Sequence, residues 1–341
     1  MEPTMKYYCF PKAAGIDSLE LRDGPTPQPA RGQILVRIRA ASLNYRDLNI
    51  AKGSPARGPL PTNLIPLSDG AGEVVALGSD VTRFQVGDRV AGMFMQAWLG
   101  GDMEAYHVDS SRGGSIDGVL AEYVVFEQDG VVRIPDHLSY EEGATLPCAG
   151  VTAWNALYAG KPLRAGESVL VLGTGGVSIF ALQFAKAAGA RVIATSSSDD
   201  KLAKAKALGA TDGVNYRQHP EWQQEVMRLT GGRGVDHVVE VGGAGTLQRS
   251  VEAARIGGQV HLIGILTGGG EINPTPVLRR NLLLRGIYVG SRQMFEDMNR
   301  MITLHGLHPV IDRVFPFAEA KDAYHYQTSQ AHLGKVVIRI D

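Results

Sequence analysis

Cysteine is nearly absent: Cys9 and Cys148 are the only two in 341 residues. So few thiols cannot build a disulfide framework, and they point to a reducing compartment. Apolar runs of membrane-spanning length are also lacking, as is any stretch that reads as a secretory leader. Charge of one sign is missing too, with 34 Lys and Arg scattered among 35 Asp and Glu for a formal net charge of −1. With no run of basic residues there is no electrostatic footprint for nucleic acid or anionic lipid. The glycines follow no fixed period, which excludes collagen and solenoid repeats. These absences leave a cytoplasmic protein with neither a nucleic-acid nor a membrane partner.

What is present is an ordinary globular composition, 44% hydrophobic and 20% charged, on a chain long enough for two domains. The 42 glycines mark many tight turns between short elements. In the first third, Ile34, Val36, Ile38 and Ala40 alternate with Leu35, Arg37 and Arg39, a half-buried strand. Short strands continue through Gly72–Gly78 and Val86–Val90, punctuated by Pro and Gly, which predicts a small β-rich domain.

Near residue 150 the pattern changes. Ser168–Leu172 is an apolar run too brief for a helix, and Val177, Phe180, Ala181, Phe184, Ala185 and Ala188 then form a helical stripe. Strands follow at 191–195, 237–241, 259–264 and 282–289, with helices at 199–208, 220–229 and 247–255 between them. Such alternation predicts βαβ units and a doubly wound parallel sheet. The last fifty residues are expected to carry one helix, 317–328, and a closing strand, 335–340.

Gly173, Thr174, Gly175, Gly176, Val177 and Ser178 lie between a strand and a helix, the setting in which a glycine loop binds a dinucleotide. Gly173 permits the turn, Gly175 lets the backbone approach the pyrophosphate, and the helix directs its first amides at the phosphates. The second strand ends in Ser196, Ser197 and Ser198, with no carboxylate before Asp199. An NAD site usually places Asp or Glu there, whereas hydroxyls and a nearby Lys201 suit a 2′-phosphate. NADP(H) is therefore the expected cofactor. The bland alternative is that a serine caps the next helix and Lys201 is solvated.

The chain resembles the medium-chain dehydrogenase/reductase superfamily, in its zinc-free, quinone-oxidoreductase-like and alcohol-dehydrogenase-like branch. The resemblance spans nearly the whole length: Gly70–Val75, Val86–Val90, Leu146–Trp154, the Gly173 loop and His332–Ile338. It implies a GroES-like catalytic domain formed by 1–149 and 291–341, around a Rossmann domain at 150–290. A cofactor in the cleft between them and a homodimer paired along 281–289 are implied as well. NADP-binding members carry a Lys and, fifteen residues later, a Tyr near the 2′-phosphate, a spacing met by Lys201 and Tyr216. Further cofactor contacts are implied at Thr152, Val241, Gly242, Gly264, Ile265 and Lys335.

The departures are informative. Zinc-dependent members use a Cys, a His followed by Glu, and a second Cys; the matching positions here are Asn44, Ser68 with Asp69, and Cys148. One thiolate and one carboxylate do not make a three-ligand zinc site, and 91–126 lacks the four cysteines of the structural lobe. No zinc is expected, and Cys148 reads as a small buried hydrophobe beside the cofactor. Without a metal, hydride delivery to an isolated ketone leaves full charge on one oxygen, whereas a quinone or enone delocalises it. Asn44, Tyr45 and Arg46 are the candidate catalytic donors. The competing reading has Asp47 capping the following helix, Arg46 pairing with it and Tyr45 forming a wall. The position of the catalytic Tyr of enoyl-thioester reductases falls near Gly53–Pro55, where there is none. Met93, Phe94, Met95, Trp98, Tyr106 and His107 either line an apolar substrate pocket or pack on the barrel, and His107 could relay protons. The expected function is NADP(H)-dependent reduction of a quinone or α,β-unsaturated carbonyl. The alternatives are a zinc-free alcohol dehydrogenase or carbonyl reductase, and a non-catalytic NADPH-binding protein.

Overall fold

The computed structural model describes residues 3–54, 59–264 and 266–341, and these carry fifteen strands. In chain order they are β1 Thr4–Cys9, β2 Glu20–Pro25, β3 Gln33–Ser42, β4 Asp69–Leu77, β5 Arg89–Gly92, β6 Tyr123–Glu127 and β7 Val131–Arg133. Then come β8 Ser168–Val171, β9 Arg191–Ser196, β10 Asp212–Asn215, β11 Val235–Glu240, β12 Ala254–Leu262 and β13 Leu283–Gly286, followed by β14 Ile311–Pro316 and β15 Lys335–Arg339. The chain divides into two compact units, Met1–Val151 with Gly290–Asp341, and Thr152–Val289.

In the first unit the long strand β3 organises the sheet. Its apolar residues Ile34, Val36 and Ile38 enter a core with Leu43, Val74, Val90, Phe126, Tyr324, Val336 and Ile338. Fully burying each such aliphatic side chain contributes roughly 1.5–3 kcal/mol. The sheet has seven strands, ordered β14-β15-β3-β4-β5-β7, with β6 also pairing β3, and β1 and β2 form a separate ribbon. The C-terminal end of β3 lies between its neighbours: Ser42 pairs with Val337 of β15 and with Asp69 of β4. This register brings residues 43–44, 69 and 335 together.

The second unit is a six-stranded sheet ordered β10-β9-β8-β11-β12-β13, all parallel. Counted from β8 this is the 3-2-1-4-5-6 order of a doubly wound dinucleotide fold. Its strands are buried on both faces, as Val169, Leu170, Val192, Ile193, Val238 and Val239 show.

Several elements differ from the sequence reading. The last fifty residues hold a second helix, Arg292–His305, and the strand β14, besides the helix Ala320–Thr328. The helix buries a thin stripe, Phe295, Met298 and Ile302, among charged residues; Ser291 caps its start and Gly306 ends it. Strand β10 (Asp-Gly-Val-Asn) has little strand character of its own and forms by pairing with β9 at the sheet edge. The expected strand 282–289 shortens to Leu283–Gly286. Ahead of β8, the segments Tyr140–Gly143, Leu146–Gly150 and Val151–Tyr158 are helical.

Candidate functional site

In the second unit the glycine loop follows β8. Gly173 has φ +68°, a left-handed conformation that favours glycine, and its N–H donates to Thr195 Oγ1 at 3.1 Å. Gly175 is the N-cap of the twelve-residue helix Gly176–Ala187, whose first turn holds no acidic residue. At Gly173 and Gly175 a Cβ would meet open space, so this backbone is accessible from outside. Ser178 turns inward, its Oγ donating to Leu172 O at 2.6 Å, and Thr174 is buried while Val177 is partly so. This is the geometry in which a glycine loop and a helix N-terminus can hold an anion.

At the tip of β9, Ser196 is buried and Ser197 partly exposed; Ser196 Oγ accepts from the Ser198 N–H at 3.3 Å. Ser198 caps the helix Asp199–Leu208 by accepting from the Lys201 N–H at 3.4 Å, so a capping serine and Lys201 share the first turn. Asp199 is committed elsewhere: Oδ1 accepts from Asn215 at 2.7 Å and Oδ2 from Gln218 at 2.9 Å. Tyr216 lies beside this tip, its N–H bonded to Ser196 O at 3.0 Å and the residue 41% exposed.

After β11, a residue that sequence reasoning missed organises the next turn. Buried Glu240 accepts through Oε1 from the N–H of Gly242 at 2.7 Å, the N–H of Gly243 at 3.0 Å and the Thr246 hydroxyl at 2.6 Å, while Oε2 accepts from Ser250. Its only sequence signal is a carboxylate ending an apolar strand. Val241 is partly exposed, Gly242 is buried, and Gly264 packs so closely that a Cβ there would stand 1.5 Å from Val241 O. Ile265 lies outside the described residues. Thr152 is buried near the start of the helix Val151–Tyr158.

In the first unit, the sheet register collects a buried polar cluster. Lys335, 4% exposed, donates from Nζ to Leu43 O and to Asn44 Oδ1, the latter at 2.6 Å. Asp69 accepts from Ser68 Oγ at 2.6 Å and from the Cys148 N–H at 2.9 Å. The Asn44 amide lies beside Asp69 and helps hold its charge, yet Asn44 Nδ2 completes no hydrogen bond of good geometry. Burial raises the Asp69 carboxyl above the usual carboxylate range, and the Lys335 charge and the hydrogen bonds pull it back only in part. Burial lowers Lys335, opposed by Asp69. The Cys148 thiol is pushed up by burial and by Asp69, which keeps it neutral.

Asn44, not Asp47, occupies the N-cap position of the helix Tyr45–Ala51. Asp47 closes the turn from within, its Oδ2 accepting from the Asn44 N–H at 2.7 Å. Burial raises the Asp47 carboxyl to about 6. Arg46 does not bond to Asp47. Its Nη1 donates to Arg112 O at 2.7 Å and its guanidinium lies 4.4 Å from the Phe94 ring centre. Tyr45 is partly buried against the core. Met93, Phe94, Met95 and Trp98 are buried and Tyr106 is 61% exposed. His107 accepts the Glu104 N–H on Nδ1 at 2.8 Å, which makes it a helix-capping group.

A family described as "Zinc-binding dehydrogenase" matches residues 176–304, and one described as "Alcohol dehydrogenase GroES-like domain" matches 30–136. The chain belongs to the medium-chain dehydrogenase/reductase superfamily. It is 46% identical to a zinc-type alcohol dehydrogenase-like protein of Schizosaccharomyces pombe, over 99% of each chain. It is 34% identical to a quinone oxidoreductase of Pseudomonas aeruginosa, over 76% of this chain and 73% of the other. The crystal structure of a putative alcohol dehydrogenase from Sinorhizobium meliloti superposes with a TM-score of 0.94 at 40% identity, covering 100% of both chains. The protein is thus an oxidoreductase of a family that binds a nicotinamide cofactor.

Zinc in the family description calls for a test of the donor set. Among the described residues no group of three or more His, Cys, Asp and Glu side chains could hold a metal ion. The positions matching the ligands supply an amide, a hydroxyl, a carboxylate and a single thiol. The one basic oxygen pair is already hydrogen-bonded, and the Lys335 ammonium takes the amide oxygen. A second cation there would face an existing one. These residues do not fit zinc.

Proposed function

We propose that the chain is a zinc-independent NADP(H)-dependent reductase of quinones or α,β-unsaturated carbonyls. The observation that carries this reading is the Lys335 ammonium bonded to Asn44 Oδ1 beside Asp69, where zinc-dependent relatives hold their metal. Bound NADPH supplies a hydride. The chain's own residues hold the dinucleotide and donate hydrogen bonds. Gly173, Gly175 and the helix from Gly176 would hold the pyrophosphate through backbone amides, and Ser196, Ser197, Lys201 and Tyr216 would hold the 2′-phosphate. Asp199 is held by Asn215 and Gln218 and sits one residue beyond the capping Ser198, within the next helix, rather than at the tip of β9. Thr152, Val241, Gly242 and Gly264 line the remaining contacts. Asn44 donates to the acceptor oxygen, Tyr45 supplies the proton, and Arg46 steadies the charge. Delocalisation over an enolate or phenolate makes such donors sufficient.

No described helix is long and apolar enough to cross a membrane. Edge strand β13, with Leu283 46% and Leu284 37% exposed, supports the homodimer reading. The similar proteins of S. pombe and S. meliloti, both named as alcohol dehydrogenases or as like them, favour a second reading, an alcohol dehydrogenase. Comparing NADPH oxidation with an enone, a quinone and a plain ketone separates the two. The proposal expects the conjugated acceptors to be faster, and exclusive turnover of a simple alcohol and its ketone would replace it with the second reading.

A further inference from the structure

We infer that Glu240 is a positioning residue for the nicotinamide half of the cofactor, holding the carboxyl ends of β11 and β12 together as the surface which that half binds. The inference rests on the NADP(H) reading above. In the 3-2-1-4-5-6 order, β8, β9 and β10 form one mononucleotide-binding half of the sheet and β11, β12 and β13 the other. The glycine loop and the Ser196 tip belong to the first half, so the second nucleotide falls to the ends of β11 and β12. Glu240 is the last residue of β11 and is fully buried. Its backbone C=O accepts the N–H of Ile263 at 2.8 Å and that of Gly264 at 3.2 Å, which fixes the chain leaving β12. Its side chain turns the other way, into the following loop. There Oε1 takes the N–H groups of Gly242 and Gly243 and the Thr246 hydroxyl, and Oε2 takes the Ser250 hydroxyl. The same turn is tied to the segment after β12, since Thr267 donates its N–H and its hydroxyl to Gly242 O at 3.0 and 2.9 Å. Thr267 Oγ1 also accepts the Gly245 N–H at 2.8 Å. Val241, Ile263 and Gly264, partly exposed residues of the two strand ends, are thereby held at one spacing. Gly264 lies too close to Val241 O for any side chain, so the two ends act as one surface.

The test measures the affinity of wild type, Glu240→Ala, Glu240→Gln and Thr246→Val for NADPH and for adenosine 2′,5′-bisphosphate, by titration calorimetry on each protein below its melting temperature. The bisphosphate carries the adenosine and the 2′-phosphate but no nicotinamide half, so it reports on the first half of the sheet alone. Glu240→Ala removes every side-chain acceptor from the turn. It should weaken NADPH by at least about tenfold, with the bisphosphate within about twofold of wild type. Glu240→Gln keeps a neutral acceptor and Thr246→Val removes one donor, so each should lose about three- to fivefold in NADPH affinity. A carboxylate that merely stabilises the fold gives a different pattern. An equal loss of both ligands overturns the inference, as does a lowered melting temperature with NADPH affinity unchanged. If Glu240→Ala fails to fold, wild-type NADPH affinity in both Glu240→Gln and Thr246→Val overturns it equally. Wild type that binds neither NADPH nor the bisphosphate removes the NADP(H) reading first and the inference with it, a result distinct from failure of the variants.

Discussion

Asp47→Asn isolates the cost of a buried carboxylate next to the candidate site. Asp47 is fully buried, one oxygen accepts the Asn44 N–H at 2.7 Å, and the other, Oδ1, has no partner among the described residues. Burial raises its carboxyl from 3.8 to about 6, only partly offset by Arg46 and the Asn44 N–H. Because the folded value lies above the unfolded one, the associated stabilisation is present below the unfolded value and is lost as pH rises through the folded value. Going from 3.8 to about 6 corresponds to about 3 kcal/mol in all. About half of that, roughly 1.5 kcal/mol, is lost between about pH 5 and pH 8. Asparagine retains the acceptor for the Asn44 N–H and never ionises. Urea unfolding of both proteins at several pH values should show the variant gaining roughly 1.5 kcal/mol relative to wild type from about pH 5 to pH 8. A pH-independent difference would refute the reasoning.

Four further predictions concern separate parts of the molecule. Ser196→Asp places a carboxylate at the tip of β9 and should shift preference from NADPH toward NADH by at least about tenfold in fluorescence titrations, the worth of one charge-assisted contact. Glu240→Gln sets an amide against donors from Gly242, Gly243, Thr246 and Ser250, and should cost about 2–4 kcal/mol of unfolding free energy, visible as a lowered melting temperature. At Asp236, burial pushes the carboxyl up but Arg233, Arg255 and Ser168 outweigh it and hold it well below the usual range. Its contribution is fully present above the unfolded value and lost only as pH falls through the much lower folded value. The destabilisation by Asp236→Asn should therefore be constant near neutral pH, begin to shrink below about pH 4 and still persist in large part near pH 3, as thermal melts across pH will show. Light scattering should give twice the 36.5 kDa chain mass for the homodimer, and a monomer at working concentration would remove that part of the proposal.

Local signals explain what could be read before the fold was known. The helix Asp199–Leu208 has the bounds expected from sequence because Ser198 caps its start and Gly209 ends it. Helix Gly176–Ala187 and strand β8 were equally legible, since a short apolar run, a glycine loop and an amphipathic stripe are all local. Helix Arg292–His305 has comparable end signals, Ser291 and Gly306, but its buried stripe is three side chains wide and was outweighed by the charges around it. Strand β10 exists because β9 offers an open edge, which no property of residues 212–215 announces. The polar cluster lay beyond reach for another reason. Lys335 and Asn44 are 291 positions apart, and only the register of β3 against β15 brings them together. Asn44 and Asp69 stood out as departures from a zinc site, and Lys335 stood out as an implied cofactor contact, but nothing local marked Lys335 as the partner of Asn44. Arg46 shows the same limit, since it bonds to Arg112 O and not to its neighbour Asp47 as the competing reading had it.

The central claim is hydride transfer without a metal, and it is tested most directly by NADPH oxidation with an enone or quinone using protein dialysed against a strong chelator and assayed for metal content. The account predicts turnover that is unchanged by dialysis, with zinc far below one ion per chain. Loss of turnover on dialysis, restored by stoichiometric zinc, would contradict it.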